Sequence, residues 1–277
     1  MNKTFIAALA LIAASGTASA ATWTMGASDA AGTRVGAVSF DGVAAGVEIG
    51  NIGDDMNIHT ADSLAVGSWR TLTATSGANS IDLSMTHEVY AGTSYNSDAS
   101  TAFVNLATSA TLDNAHIGSA TNMSAVSLAP VSLLKQSFFI TPGLGESDGM
   151  AVKVGFAQDY SHIGNGSAGT TQTLFSSYSL YLNGAQVKAN SISGAGAGSD
   201  YLSFNAHIGD QVRLDLLNSS LISVSALSLA PGDAPAANAY GSLNTYLTVS
   251  PVPESNTYAM MLAGLGLLGF MMRRRNF

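Results

Sequence analysis

From Ile81 to Tyr90 apolar and polar residues alternate without a break. Ile81, Leu83, Met85, His87 and Val89 fall on one side, and Asp82, Ser84, Thr86, Glu88 and Tyr90 on the other. A period of two belongs to a strand with one buried and one wet face; a helix does not sort these side chains into two faces. The pattern returns at Tyr178, Leu180 and Leu182, followed by Asn183-Gly184 and a return strand over 186–189. Asn-Gly tolerates the two positive φ angles of a tight hairpin turn. Leu202, Phe204, Ala206 and Ile208 alternate in the same way, and after a turn at Gly209-Asp210 so do Val212, Leu214 and Leu216, which predicts a second hairpin. Residues 242–250 read as a final strand, and no stretch between 21 and 252 sustains a helical period. The expected fold is all-β: an antiparallel β-sandwich or jelly-roll-like ectodomain over 21–252. The part before residue 142 is poorer in strand signals and richer in Ala, Ser and Thr, so it is expected to be loop-rich. Thr141-Pro142-Gly143 punctuates a possible internal boundary at 142–149, and 194–199 reads as a flexible loop.

The two ends follow different rules. Lys3 gives a short positive start, residues 5–14 are apolar, and Ala18-Ser19-Ala20 has the small-residue spacing that signal peptidase reads. A cut between Ala20 and Ala21 is expected, and the apolar run is too short to span a bilayer, so 1–20 reads as a removed signal peptide. At the other end, Pro251, Val252, Pro253 and Glu254 interrupt strand formation because proline donates no ladder hydrogen bond. Residues 257–272 then carry no charge, and Arg273, Arg274 and Arg275 close the run. As a transmembrane helix that segment would reach about 24 Å against a hydrocarbon core of about 30 Å, with the arginines snorkelling to the boundary. Positive residues stay cytoplasmic, so the expected orientation is C-terminus inside and 21–252 outside.

The stretch from Val252-Pro253-Glu254-Ser255 through the apolar Tyr258-Ala259-Met260-Met261-Leu262 and Gly264-Leu265-Gly266, closed by three arginines, resembles the PEP-CTERM sorting signal. Ser255 stands where the family usually has its second proline. The resemblance covers 253–277 and implies processing by exosortase, a membrane-embedded enzyme of bacteria that make exopolysaccharide. In that reading Pro253 and Glu254 form the sorting element, and the helix is only a transient membrane contact.

Charge and composition exclude several chemistries. Eighteen acidic against ten basic residues leave no footprint for a phosphate backbone, so no nucleic-acid partner is expected. The absence of cysteine removes disulfides, thiolate zinc sites and a cysteine nucleophile. Gly145-Glu146-Ser147-Asp148-Gly149 spells a serine-hydrolase elbow, but that motif needs a helix after the serine, and 150–156 reads as a strand. Asp54, Asp55 and Asn57 gather calcium-type oxygens around Gly53 without the spacing of an EF-hand, so an Asx-rich turn is the reading preferred over a metal site. The histidines 59, 87, 116, 162 and 207 show no helical i,i+4 pair, and Gly194-x-Gly196-x-Gly198 opens no helix. Trp23, Trp69 and the nine tyrosines supply aromatic surface for either packing or sugar stacking.

No catalytic residue and no cofactor is therefore expected. The expected protein is exported and non-catalytic, delivered to the cell surface or an exopolysaccharide matrix, with signal peptidase and exosortase as processing partners. Two other readings stand beside it. One is an extracellular polymer-degrading hydrolase using carboxylates such as Glu48, Glu88 or Glu146. The other is a calcium-stabilised adhesin or sugar-binding protein.

Overall fold

A computed structural model describes residues 21–95, 99–143, 145–252 and 262–267, with the side chains of 130–132 excepted. The described residues form fourteen strands: β1 (Thr22–Ala31), β2 (Thr33–Phe40), β3 (Val43–Asn51), β4 (Met56–His59), β5 (Ser63–Ser76), β6 (Asn79–Gly92), β7 (Thr101–Ile117), β8 (Thr121–Thr141), β9 (Ala151–Gly166), β10 (Thr170–Leu182), β11 (Ala185–Ser193), β12 (Gly196–His207), β13 (Gln211–Leu229) and β14 (Ala237–Pro251). They pair into two seven-stranded antiparallel sheets. The first runs β11-β10-β13-β8-β2-β3, with β1 also on β8, and the second runs β12-β9-β14-β7-β6-β5-β4. β1 and β2 lie end to end along one side of β8, opposite residues 133–141 and 123–128 respectively. The sheets face one another as a sandwich, β13 over β7 and β14, β8 over β6 and β7, β3 over β5. At one edge the chain passes from β3 to β4, and at the other from β11 to β12, so each pair of outer strands is joined across the layers.

The turn chemistry is local. Asn183 and Gly184 both have positive φ (49° and 82°), as do Asp41 and Gly42 (51° and 77°), and both pairs close two-residue hairpins. The expected hairpin over 202–216 does not form. β12 pairs with β9 in the second sheet, and β13 pairs with β10 and β8 in the first, so Gly209-Asp210 carries the chain between layers. The His207 N–H donates to the Asp210 carboxylate at 2.7 Å, and the Ile208 and Gly209 N–H groups donate to the carbonyl oxygens of Met150, just before β9, and Ile140 of β8. Alternation reports which face of a strand is buried, and two strands facing one core from opposite sheets alternate as well as two that pair. The N-terminal half is also not loop-rich, since eight strands precede residue 142. Strands from both sides of 142–149 mix in both sheets: β13 lies between β10 and β8, and β14 between β9 and β7.

The interior is divided. One apolar cluster gathers Leu106, Leu134, Phe138, Phe156 and Tyr178; the other gathers Ile81, Leu83, Leu112, Met123 and Ile222. Burial of each such side chain contributes roughly 1.5–3 kcal/mol. Between the clusters runs a polar belt. Ser68, His87, Thr108, Gly241 and His162 sit on one register line across the second sheet. The first sheet meets them with Ser176, Asn218 and Ser220, all fully buried. Asn218 donates to the carbonyl oxygens of Gly241 (2.8 Å) and Leu106 (3.4 Å) and accepts from Ser176 (2.8 Å). Ser220 and Thr108 hydroxyls meet at 2.7 Å. A Cβ on Gly241 would stand 2.7 Å from Asn218 Oδ1, so glycine there leaves room for the amide. Asn218→Ala is expected to lower stability by about 1–3 kcal/mol, because it strands buried polar partners. Urea unfolding measures this, and an unchanged midpoint would show that water replaces the amide.

Candidate functional site

The two ends expected to be processed leave the sandwich together. Ala21 is fully buried at the entrance to β1, and Trp23 packs edge-on against Phe138 with ring centroids 6.2 Å apart. The Trp23 backbone N–H donates to Ala99 (3.1 Å) and its indole N–H to the Ser100 carbonyl (3.0 Å). The Val249 N–H, near the end of β14, donates to the same Ser100 carbonyl at 3.0 Å. Residues 99–100 thus tie the first strand of one sheet to the last strand of the other, at one pole of the sandwich. β14 keeps its ladder to Pro251, opposite Val152, and the Val252 N–H reaches the Ala151 carbonyl at 3.3 Å. The expected sorting element begins at the next residue. Ala20, Pro253, Glu254, Arg273, Arg274 and Arg275 lie outside the described residues, as does the whole of 1–20. Of the expected 257–272 helix the described part is helical over 262–267, with Leu262, Leu265 and Leu267 exposed. Among the described residues no helix is long and apolar enough to cross a membrane.

The calcium candidates sit where β3 crosses to β4, and arginines supply their counter-charge. Arg34, only 2% exposed, lies 3.0 Å from Glu48 and 3.2 Å from Asp54, and it also donates to Ser68. Asp55 takes the Trp69 backbone N–H at 2.7 Å, the Ser68 hydroxyl at 3.1 Å and the Arg70 guanidinium. Asn57 belongs to β4, its side chain beside Gly53. Among the described residues no group of three or more His, Asp or Glu is placed to hold a metal ion.

The remaining sequence candidates are scattered. Glu48 is ion-paired at this edge, Glu88 stands on the outer face of β6, and Glu146 accepts the Gly143 N–H (2.8 Å) in a turn. Ser147 belongs to that same turn, where its N–H meets the Met150 sulfur, and β9 follows rather than a helix. His87 is fully buried on the apolar side of β6. A pairing that spacing gave no hint of is His162 with Ser176, 2.6 Å apart, with the other ring nitrogen 2.9 Å from the Gly194 carbonyl. Both side chains are buried in the belt, where they bridge the two sheets. At the β11–β12 edge Asp200 pairs with Lys188 and accepts from Tyr178. Burial, and then that hydrogen bond, pushes the Tyr178 phenol well above its ordinary range.

The outer face of the second sheet carries a group of aromatics. Trp69 is exposed near one edge and Tyr201 near the other, with Tyr246 and Tyr95 between them. Tyr95 packs edge-on against Tyr246, centroids 5.1 Å apart, and against Phe103 at 5.4 Å. These residues come from β5, β7, β12, β14 and the turn after β6, so no window of sequence contains the group.

Three carboxylates on the surface are held below their usual range. The Asn122 N–H lowers Asp41, the Trp69 N–H and then Arg70 lower Asp55, and Lys188 followed by Tyr178 lowers Asp200. Each depressed group is charged in the folded state at a pH where the unfolded chain already binds a proton. Its stabilisation is complete above about pH 3.9 and is lost as pH falls through the lower folded-state value. The melting temperature is therefore expected to fall on acidification through this window. Asp55→Asn should melt lower at neutral pH and show a shallower acid limb, and parallel acid limbs for the two proteins would refute this account.

Comparison with known proteins places a family at the C-terminus. Residues 251–275 match the PEP-CTERM protein-sorting motif. No curated protein matches the chain. Among solved structures, the GH31 alpha-xylosidase of Xanthomonas citri aligns at 7% identity and a TM-score of 0.11, over 73% of this chain and 37% of that one. The chain thus spans little more than a third of that enzyme, and a likeness at this level carries no argument about activity. The motif, at the position the residues indicated, makes this an exported protein that carries a PEP-CTERM signal and is sorted through exosortase.

Proposed function

We propose that the chain is a non-catalytic β-sandwich delivered to the cell surface or its exopolysaccharide matrix after processing at both ends. One observation carries the reading: the buried start of β1 and the end of β14 meet at Ala99-Ser100, and the sorting motif starts as the last ladder ends. In the precursor a signal peptide and a C-terminal helix would both approach the membrane from that pole, leaving the rest of the sandwich outward. Exposed Leu262, Leu265 and Leu267 suit a lipid contact before release. Signal peptidase would cut before Ala21, and exosortase near Pro253-Glu254. The product would carry 6 basic against 17 acidic residues, a net charge of −11, and neither apolar end. The dispersal of Glu48, Glu88 and Glu146 over unrelated surfaces argues for a binding or structural role rather than hydrolysis.

Two measurements test this. Intact mass of the protein recovered from medium, envelope and matrix of the native host is expected to give a released species running from Ala21 to near Pro253. A membrane-bound species retaining Arg273, Arg274 and Arg275 as the final product would overturn the release step. Because arginines already compensate Asp54 and Asp55, a chelator is expected to leave the melting temperature unchanged, whereas a fall would favour the calcium-stabilised adhesin.

A further inference from the structure

On the outer face of the second sheet, one register line runs Gly92, Phe103, Tyr246, Ala157, Tyr201 across five neighbouring strands. Tyr246 and Tyr201 therefore flank Ala157, two strand spacings apart, or about 9.6 Å. Tyr201 is 67% exposed. Tyr246 is braced from the far side by Tyr95, which packs in turn on Phe103. The floor between the two tyrosines is Ala157 and, one row along, Gly155; a Cβ on Gly155 would meet Thr248 Oγ1 at 2.5 Å. The result is a trough of about 400 Å³ with aromatic walls and a floor of the smallest side chains.

Both neighbouring rows are polar. On one side Asn105, Asn244, Asp159 and Ser199 align, with the Asn105 amide bound to Asn244 Oδ1. On the other side Thr248 and Ser203 flank Gly155. Charge is balanced along the floor strand, Lys153 at one end and Asp159 at the other. Aromatic faces separated by a small-residue floor, with amides and hydroxyls in the adjacent rows, match a chain of sugar rings. Such a chain offers C–H faces to stack and hydroxyls to hydrogen-bond. The balanced pair gives an anionic or cationic polymer nothing to favour it.

We infer that the Tyr201–Ala157–Tyr246 trough binds a segment of a neutral polysaccharide chain. This rests on the matrix-associated reading above and names the surface that would serve it. In the test, the protein recovered from its host is applied to immobilised polysaccharide from that host's own matrix, beside the variants Tyr201→Ala, Tyr246→Ala and Ala157→Gln. Each variant is expected to lose about tenfold in affinity, ~1.4 kcal/mol. Tyr201→Ala and Ala157→Gln should keep the wild-type melting temperature, since these side chains point out of the sandwich, whereas Tyr246→Ala also gives up its packing on Tyr95 and should melt lower while staying folded. Trp69→Ala, on the same face but near the opposite edge, should bind as the wild type does. Retention should also persist from low to molar salt, as it does for an uncharged ligand. If the wild type is retained and the trough variants match it, the inference fails while the matrix reading stands. If the wild type is not retained at all, both fail. Loss of retention with salt overturns the neutral ligand, and a trough variant that instead abolishes self-association of the protein assigns the surface to a second copy.

Discussion

A buried amide facing a glycine sets the geometry of this sandwich. Asn218 reaches from β13 in one sheet to the Gly241 and Leu106 carbonyl oxygens in the other, and it does so in the space a side chain on residue 241 would occupy. Apolar cores are forgiving about register, because one leucine substitutes for another at modest cost. A buried polar group is not, since a slip that unpairs it costs its full desolvation. The line of Ser68, His87, Thr108, Gly241 and His162 therefore fixes how five strands of the second sheet align, and Ser176, Asn218 and Ser220 fix how the first sheet lies over it. The two apolar clusters supply most of the burial; the belt between them supplies the alignment.

That alignment explains what was legible in the sequence and what was not. β6 could be read residue by residue because its inward positions are all buried and its outward ones are only half so. The Asn183-Gly184 turn was equally plain, and Asp41-Gly42 is the same signal in a less conspicuous setting. The 202–216 segment misled because pairing partner and buried face are independent properties, and only the second leaves a period. The N-terminal half was underestimated for a different reason: strands such as β7 bury Ala102, Thr108 and Ala110 beside Val104 and Leu106, so small and hydroxyl side chains hide the alternation. The arginine partners of Asp54 and Asp55 were not legible, because they come from β2 and β5, outside any local window. The aromatic trough was illegible for the same cause, as Ala157, Tyr201 and Tyr246 meet only through the pairing of three strands.

Strand order also bears on how such a chain leaves the cell. β14 lies in the interior of the second sheet, between β9 and β7, so that sheet stays in two pieces until the last of the fourteen described strands arrives. β1, the first strand, must wait for β8. Closing such distant pairings is entropically costly before it is rewarded, which makes folding slow relative to a helical domain. A chain of this kind emerges across a membrane with its strand edges open. Its C-terminal segment follows β14 directly, so the last piece needed to complete the core is also the piece nearest the sorting motif. In the proposed precursor, an end held at the membrane would keep β14 close to the pole where Ser100 receives both Trp23 and Val249. Anchoring before release would then serve folding as well as sorting. The strand that joins the halves of the second sheet would be tethered beside its docking place while the sandwich closes.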